Sequence, residues 1–293
     1  MLENYPERKQ NRLEADSKEG ESPLESAEEK TGFESFVAKQ GLSGSTLKLI
    51  AVITMFIDHV GAGIIENFAV QHPDELLFGM DYDRLYMLDK VLRDIGRIAF
   101  PIFCFLLVEG FSRTKNVWKY FSRLVIFGVI SEVPFDLCFF RSAWYAPYQN
   151  VYFTLALGLL MMICMERIAK LGAGVQSGNG SVPEGIRAAR IVMKILTLAA
   201  FAAVAQFLMT DYYMLGIFTI FLLYQFKKTR LGTCAAHALS CVLILGEIPA
   251  LAGTVPIALY NGKRGFKMKY FFYFFYPAHL MILWGISRML GIS

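Results

Sequence analysis

The chain has 293 residues, of which 55% are hydrophobic, 14% aromatic and only 18% charged, with a mean hydropathy of +0.43. Soluble domains carry about 25% charged residues, so composition excludes an ordinary water-soluble enzyme and predicts an integral membrane protein. Charge is uneven: residues 1–45 hold six Lys/Arg against ten Asp/Glu, and the remainder hold 23 against 15. Membrane topology accounts for that cationic excess, so nucleic acid is not an expected partner.

In chain order, residues 1–45 are acidic and poor in large apolar side chains, and they predict a disordered cytoplasmic tail. They contain no apolar run of the signal-peptide type, so the first helix itself must direct insertion. Residues 46–293 follow as a helical bundle. Apolar runs occur at about 47–66, 95–112, 120–140, 150–168, 190–210, 212–226, 231–246, 248–260 and 270–290. These predict an all-α polytopic membrane protein of about nine transmembrane helices. Loops 113–123, 167–194, 227–230 and 261–269 hold sixteen Lys/Arg, whereas the alternating loops hold four. Lys/Arg-rich loops stay in the cytoplasm, so the N-terminus is expected inside and the C-terminus outside. An eight-helix count would place Lys263–Lys269 outside. Within 67–94, Leu85, Leu88, Leu92 and Ile95 fall at helical spacing, which fits an interfacial or surface-packed helix. The five cysteines lie in apolar stretches with no CxxC or His/Cys cluster, so neither a disulfide scaffold nor a metal site is expected.

The first apolar run, Leu47-Lys48-Leu-Ile-Ala-Val-Ile-Thr-Met-Phe-Ile-Asp58-His59-Val-Gly61, carries ionisable groups where water should be absent. Each costs about 2.5–3.5 kcal/mol on insertion scales, so such groups are usually kept for function. Lys48 at the helix mouth and His59 about 16 Å further along read as an anchor and a reactive centre. Asp58 and His59 are successive helix residues, which ordinarily do not face each other, so Asp58 is expected to pair with Arg97 on the next span. That second span ends near Glu109. In the third, Glu132 and Asp136 lie four residues apart on one helical face, suited either to hold a cation or acceptor group or to pair with Arg97 or Lys90. Gln149 and Asn150 open the fourth span on the same side. His279, after the Pro277 kink, sits at the depth of His59. Arg113, Lys115, Lys119 and Arg123 form a cationic inner loop that obeys the positive-inside rule and also suits a polyanionic ligand. On these residues alone two classes stay open: an intramembrane enzyme centred on His59, or an ion-coupled solute transporter or channel using Asp58, His59, Glu132 and Asp136 as a proton path.

The Lys48–Gly61 run resembles the TraX family, as do Gly96-Arg97-Ile-Ala-Phe-Pro101, Glu109-Gly110-Phe111, Ile130-Ser-Glu132-Val-Pro134-Phe-Asp136, Gln149-Asn150-Val-Tyr-Phe-Thr154 and Phe275-Tyr-Pro277-Ala-His279. The likeness covers about residues 45–290. TraX of conjugative plasmids acetylates a pilin N-terminus. The family is distantly similar to the integral-membrane acyltransferase family three, whose first helix carries Arg, ten residues, then a catalytic His; here Lys48 stands at the Arg position. The resemblance implies a multi-pass protein of the bacterial inner membrane and a catalytic His59 assisted by Asp58 and Arg97. It implies acetyl-CoA as donor, held by Lys48, Arg113, Lys115, Lys119 and Arg123. Acceptor contacts would come from Glu109, Glu132, Asp136, Gln149, Asn150 and His279, with the acceptor an amine or hydroxyl of unspecified identity.

Overall fold

A computed structural model describes residues 32–172, 182–267 and 269–292. The chain divides into two units, Met1–Gly41 and Leu42–Ser293. The expected disordered tail falls mainly on residues 1–31, outside the described residues. In the first unit, Gly32–Gln40 forms helix α1, so regular structure begins before residue 46.

In the second unit the described residues form helices and isolated β-bridges, with no strand among them. Helix α2 runs from Gly44 to Gln71, capped by the Ser43 hydroxyl on the Thr46 N–H, with a π-helical stretch at Gly61–Glu66. There follow α3 (Tyr82–Gly96), α4 (Ala99–Arg113), α5 (Val117–Phe140), α6 (Val151–Lys170), α7 (Glu184–Phe207), α8 (Tyr213–Gln225), α9 (Arg230–Ile244), α10 (Ile248–Ala258, opening as a 3-10 turn) and α11 (Lys269–Met289). Side-chain oxygens start several of them: Asp81 caps α3, Asn116 caps α5, Asn150 caps α6 and Thr229 caps α9. Each of the nine apolar runs lies on one of α2 and α4–α11. The expected surface helix is α3. Among the described residues three helices, α2, α6 and α7, are long and apolar enough to cross a membrane, while α8, α9 and α10 are shorter apolar helices.

Helix α2 packs on α3, α4 and α11, and α5 packs on α6 and α11. Helix α6 packs on α7 and α8, with Leu159, Met161, Met162 and Met165 buried against Ile217, Ile220 and Leu223 of α8 in one core. Helix α7 contributes little to that core: only Ala202 and Ala205 are buried, and Ile191, Val192, Ile195, Leu196 and Phe207 face outward.

Side-chain contacts sort the loops to two ends. At one end, Lys227 Nζ lies 3.2 Å from Ser112 Oγ, Arg167 stacks over Trp118, and Leu42 bridges Tyr260. That end gathers the basic loops and the start of α2. Helix α10 runs alongside α4, from the Arg97–Glu247 ion pair at the opposite end to the Tyr260 Oη–Glu109 hydrogen bond here. Residues 248–260 therefore travel from one end of the bundle to the other, despite their shortness.

Candidate functional site

A cavity of about 310 Å³ opens among α2, α3, α4, α5 and the turn before α8. Its polar wall is Asp58, His59, Glu66, Asn67, Arg93, Arg97, Tyr148, Asp211 and Tyr212; Phe100, Phe135 and Phe139 supply much of the apolar wall. Apolar walls with a few convergent polar groups are the usual form of a small-ligand site.

The expected Asp58–Arg97 pair is not formed. Arg93 binds Asp58 instead, with Nη1 2.6 Å from Oδ2, and Arg97 pairs with Glu247 at 3.1 Å. Two glycines explain this packing. A Cβ on Gly96 would strike the Asp58 side chain, and one on Gly61 would meet Asp89 Oδ1 at 2.8 Å and the Arg93 stem at 3.3 Å. Helices α2 and α3 thus meet closely, and Arg93, one turn before Arg97, reaches Asp58 first.

Asp58 and His59 do touch, contrary to expectation for successive helix residues: His59 Nδ1 lies 3.0 Å from Asp58 Oδ2. The roughly 100° between successive residues is bridged because both side chains are pinned from outside. Arg93 fixes the carboxylate. His279 stacks on the His59 ring at 5.2 Å centroid distance, and Phe139 meets its face edge-on at 5.1 Å. With Nδ1–H donating to the carboxylate, His59 Nε2 carries the lone pair. That Nε2 is buried and, among the described residues, has no hydrogen-bond partner. Just beyond His59 the π-helical turn frees carbonyls: Asn67 Nδ2 donates to Ala62 O (2.7 Å) and Arg141 Nη2 to Gly63 O (2.7 Å). Single π turns often mark functional sites.

The other sequence-predicted residues scatter. Glu132 and Asp136 are buried but do not line the cavity, and neither pairs with Arg97 or Lys90. Glu132 accepts from Asn150 Nδ2, Asp136 accepts from the Tyr145 N–H at 2.7 Å, and Asn150 Nδ2 also donates to Gly128 O at 2.8 Å. These contacts join the end of α5 to the start of α6. Gln149 holds the Ala146 carbonyl through its side chain, and its backbone pairs with Met209 and Asp211. His279 is buried, donates from Nδ1 to Phe275 O at 2.8 Å, and touches the site through its ring, stacking on His59 and meeting Tyr276 edge to face. Glu109 lies at the far end with Arg113 (2.5 Å) and Tyr260. Arg123 packs on Tyr120, Lys115 and Lys119 are exposed, and Lys48 lies 5.6 Å from the Phe272 ring centre.

Several residues of the site carried no strong sequence signal. Arg93 had one, its helical spacing to Arg97. Asp211 and Tyr212, in a short turn, and Glu247, between two short helices, had none. Tyr148 Oη donates to Asp211 Oδ1 at 2.7 Å, tying that turn to the α5–α6 loop.

Apolar helices around a half-buried Asp–His–Arg cluster define a membrane protein with an embedded polar site. The model described as "TraX protein" matches residues 43–287, and the chain belongs to that family. It is also similar to the "Probable fimbrial assembly protein FimC, serogroup H1" of Dichelobacter nodosus, with 32% identity over 273 residues, covering 82% of this chain and 94% of that one. No solved structure matches.

Proposed function

We propose that the chain is a membrane acetyltransferase that moves an acetyl group from acetyl-CoA to an amine or hydroxyl, with His59 as general base. The observation that carries this reading is the state of His59: Nδ1 is held by a carboxylate, Nε2 is unpartnered, and the ring lines a cavity. Asp58, itself anchored by Arg93, fixes the tautomer and stabilises the imidazolium. Acetyl-CoA, when bound, supplies an activated thioester carbonyl. His59 Nε2 accepts the proton as the acceptor's nitrogen or oxygen bonds to the carbonyl carbon. It returns that proton to the departing sulfur as the C–S bond breaks. Arg97, paired with Glu247, lines the cavity, and its positive charge would stabilise the negative charge that gathers on the carbonyl oxygen.

The cavity is large enough for the acyl end of the donor but not for its nucleotide. The nucleotide's phosphates belong with the cations at the start of α2, namely Lys48 and those of 113–123, about 16 Å from His59 along the helix. The seam between α2 and α11 joins the two places through Phe272, Phe56, Phe275 and His279. In this reading nine helices cross the inner membrane, the basic end is cytoplasmic, and the cavity lies in the outer half. The relative named for fimbrial assembly makes a pilin N-terminal amine the first acceptor to try.

Two experiments test this. Purified protein in nanodiscs, given radiolabelled acetyl-CoA and a pilin-type peptide, should transfer label; absence of transfer to any amine or hydroxyl acceptor would remove the enzymatic reading. For orientation, a cysteine placed between residues 67 and 94 should react with an impermeant thiol reagent in intact cells, and one at Asn116 should not. The reverse pattern would overturn the cytoplasmic donor side.

A further inference from the structure

Resting on the acetyl-CoA reading, a second observation bears on where the donor is held. The segment Asn261-Gly-Lys263-Arg264-Gly-Phe-Lys267 is strapped across the start of α2. Leu42 N donates to Leu259 O (2.8 Å), Asn261 N to Leu42 O (2.9 Å), Gly44 N to Lys263 O (2.8 Å) and Ser45 N to Arg264 O (3.0 Å). Phe266 N donates to Ser45 Oγ at 2.9 Å, and Lys263 N to Asn261 Oδ1 at 2.9 Å. Gly262 and Gly265 adopt φ of +74° and +73°, a region that L side chains rarely enter. Gly265 has a second constraint: a Cβ there would strike the Ser43 and Ser45 hydroxyls. The loop is thus built, with two glycine turns pressing its backbone onto the helix.

What the strap holds in place is positive charge. Lys263, Arg264 and Lys267 are exposed, and Arg264 acts on the half-buried Lys48 as a neighbouring like charge. Among the described residues, none of these four cations forms an ion pair with a carboxylate. The older candidates differ. Arg113 is neutralised by Glu109 at 2.5 Å, and Arg123 packs on Tyr120. Holding like charges together without a counter-ion is unfavourable unless an anion joins them. The helix N–H groups that would otherwise attract an anion are already taken by Lys263 O and Arg264 O, so the side chains are what remain to bind it.

We propose that Lys48, Lys263 and Arg264 form an organic-phosphate site built by the 261–267 strap. Its ligand is a phosphate ester, available either from the nucleotide end of CoA or from the headgroup of an anionic lipid. Arginine grips such a group through parallel N–H donors and lysine as a point charge.

The test uses the full chain in nanodiscs of neutral phosphatidylcholine, titrated with CoA, 3′-dephospho-CoA and pantetheine. The variants are Lys263→Gln/Arg264→Gln and, as an independent probe of the strap, Gly265→Ala; thermal unfolding is followed for each. For the soluble source, CoA should bind the double variant at least tenfold more weakly, with pantetheine unaffected and the loss shrinking in high salt as the wild-type advantage is screened. Gly265→Ala should weaken CoA in the same direction. For the lipid source, wild type but not the double variant should be stabilised by nanodiscs containing phosphatidylglycerol, with CoA binding equal in both. Wild-type binding of CoA that the variants match, together with equal response to phosphatidylglycerol, overturns the phosphate site and leaves the donor reading intact. Failure of wild type to bind CoA or pantetheine at all overturns the donor reading, and the lipid comparison then decides the site by itself.

Discussion

Two carboxylate clusters sit in this bundle, one around the half-buried Asp58 and one around the buried Glu132 and Asp136, and their surroundings differ. Asp58 is tied to a cation, Arg93, and to an imidazole whose second nitrogen is left unpartnered beside a cavity. Glu132 and Asp136 are tied to the amide of Asn150 and the backbone of Tyr145, away from the cavity and with no cation partner among the described residues. The first cluster holds the His59 imidazole in one orientation. The second closes a helix hairpin. The proposed chemistry rests on the first arrangement, a carboxylate that orients a group with spare capacity next to open space, and not on carboxylate burial by itself.

The sharpest way to break this contrast is at His59. His59→Ala should lower acetyl transfer by about 10²–10⁴-fold, the usual worth of a general base, while the thermal-unfolding profile in detergent stays near wild type. Wild-type turnover in this variant would cancel the role of the Asp58 cluster. Next comes the anchoring cation. Arg93→Met leaves the half-buried Asp58 without its cation, a change that costs about 3–5 kcal/mol for a fully buried pair and less for this one, so the variant should unfold at lower temperature. Asp58→Asn added to Arg93→Met should recover most of that stability yet stay inactive, since the amide cannot hold His59 as the carboxylate does. A double variant that is both stable and active would show that Asp58 serves folding only.

The smallest effect is expected in the second cluster. Asn150→Ala removes the α6 cap and one partner of Glu132, together about 1–3 kcal/mol. Activity per folded molecule should be unchanged, read as rate normalised to the fraction that binds CoA. A large rate loss in a folded Asn150→Ala protein would move this hairpin into the active site and erase the distinction.

Much of this was legible beforehand, for identifiable reasons. Helices follow from long apolar runs, and each of nine runs became one. Lys48 and His59 stood out because an ionisable side chain in an apolar helix is costly. Pairings were harder to read. That Asp58 needs a cation from a neighbouring helix is readable, but sequence does not distinguish two arginines one turn apart, and the close approach allowed by Gly61 and Gly96 selects Arg93 over Arg97. The contact between Asp58 and His59 depends on neighbours from α3, α5 and α11 that helix periodicity says nothing about. Asp211, Tyr212 and Glu247 reach the cavity from connecting turns, where position is set by the packing of everything else.

Helix α7 carries a practical corollary. Its outward row of Ile191, Val192, Ile195, Leu196 and Phe207 is exposed, with nothing among the described residues burying it. In water each such side chain would forgo about 1.5–3 kcal/mol relative to burial, a total comparable to the whole net stability of an ordinary domain. The surrounding hydrocarbon is thus a component of the folded state's free energy, as a tightly bound ligand would be. Unfolding temperatures for this protein are meaningful only with the detergent or lipid stated, and variants should be compared at a fixed amphiphile-to-protein ratio.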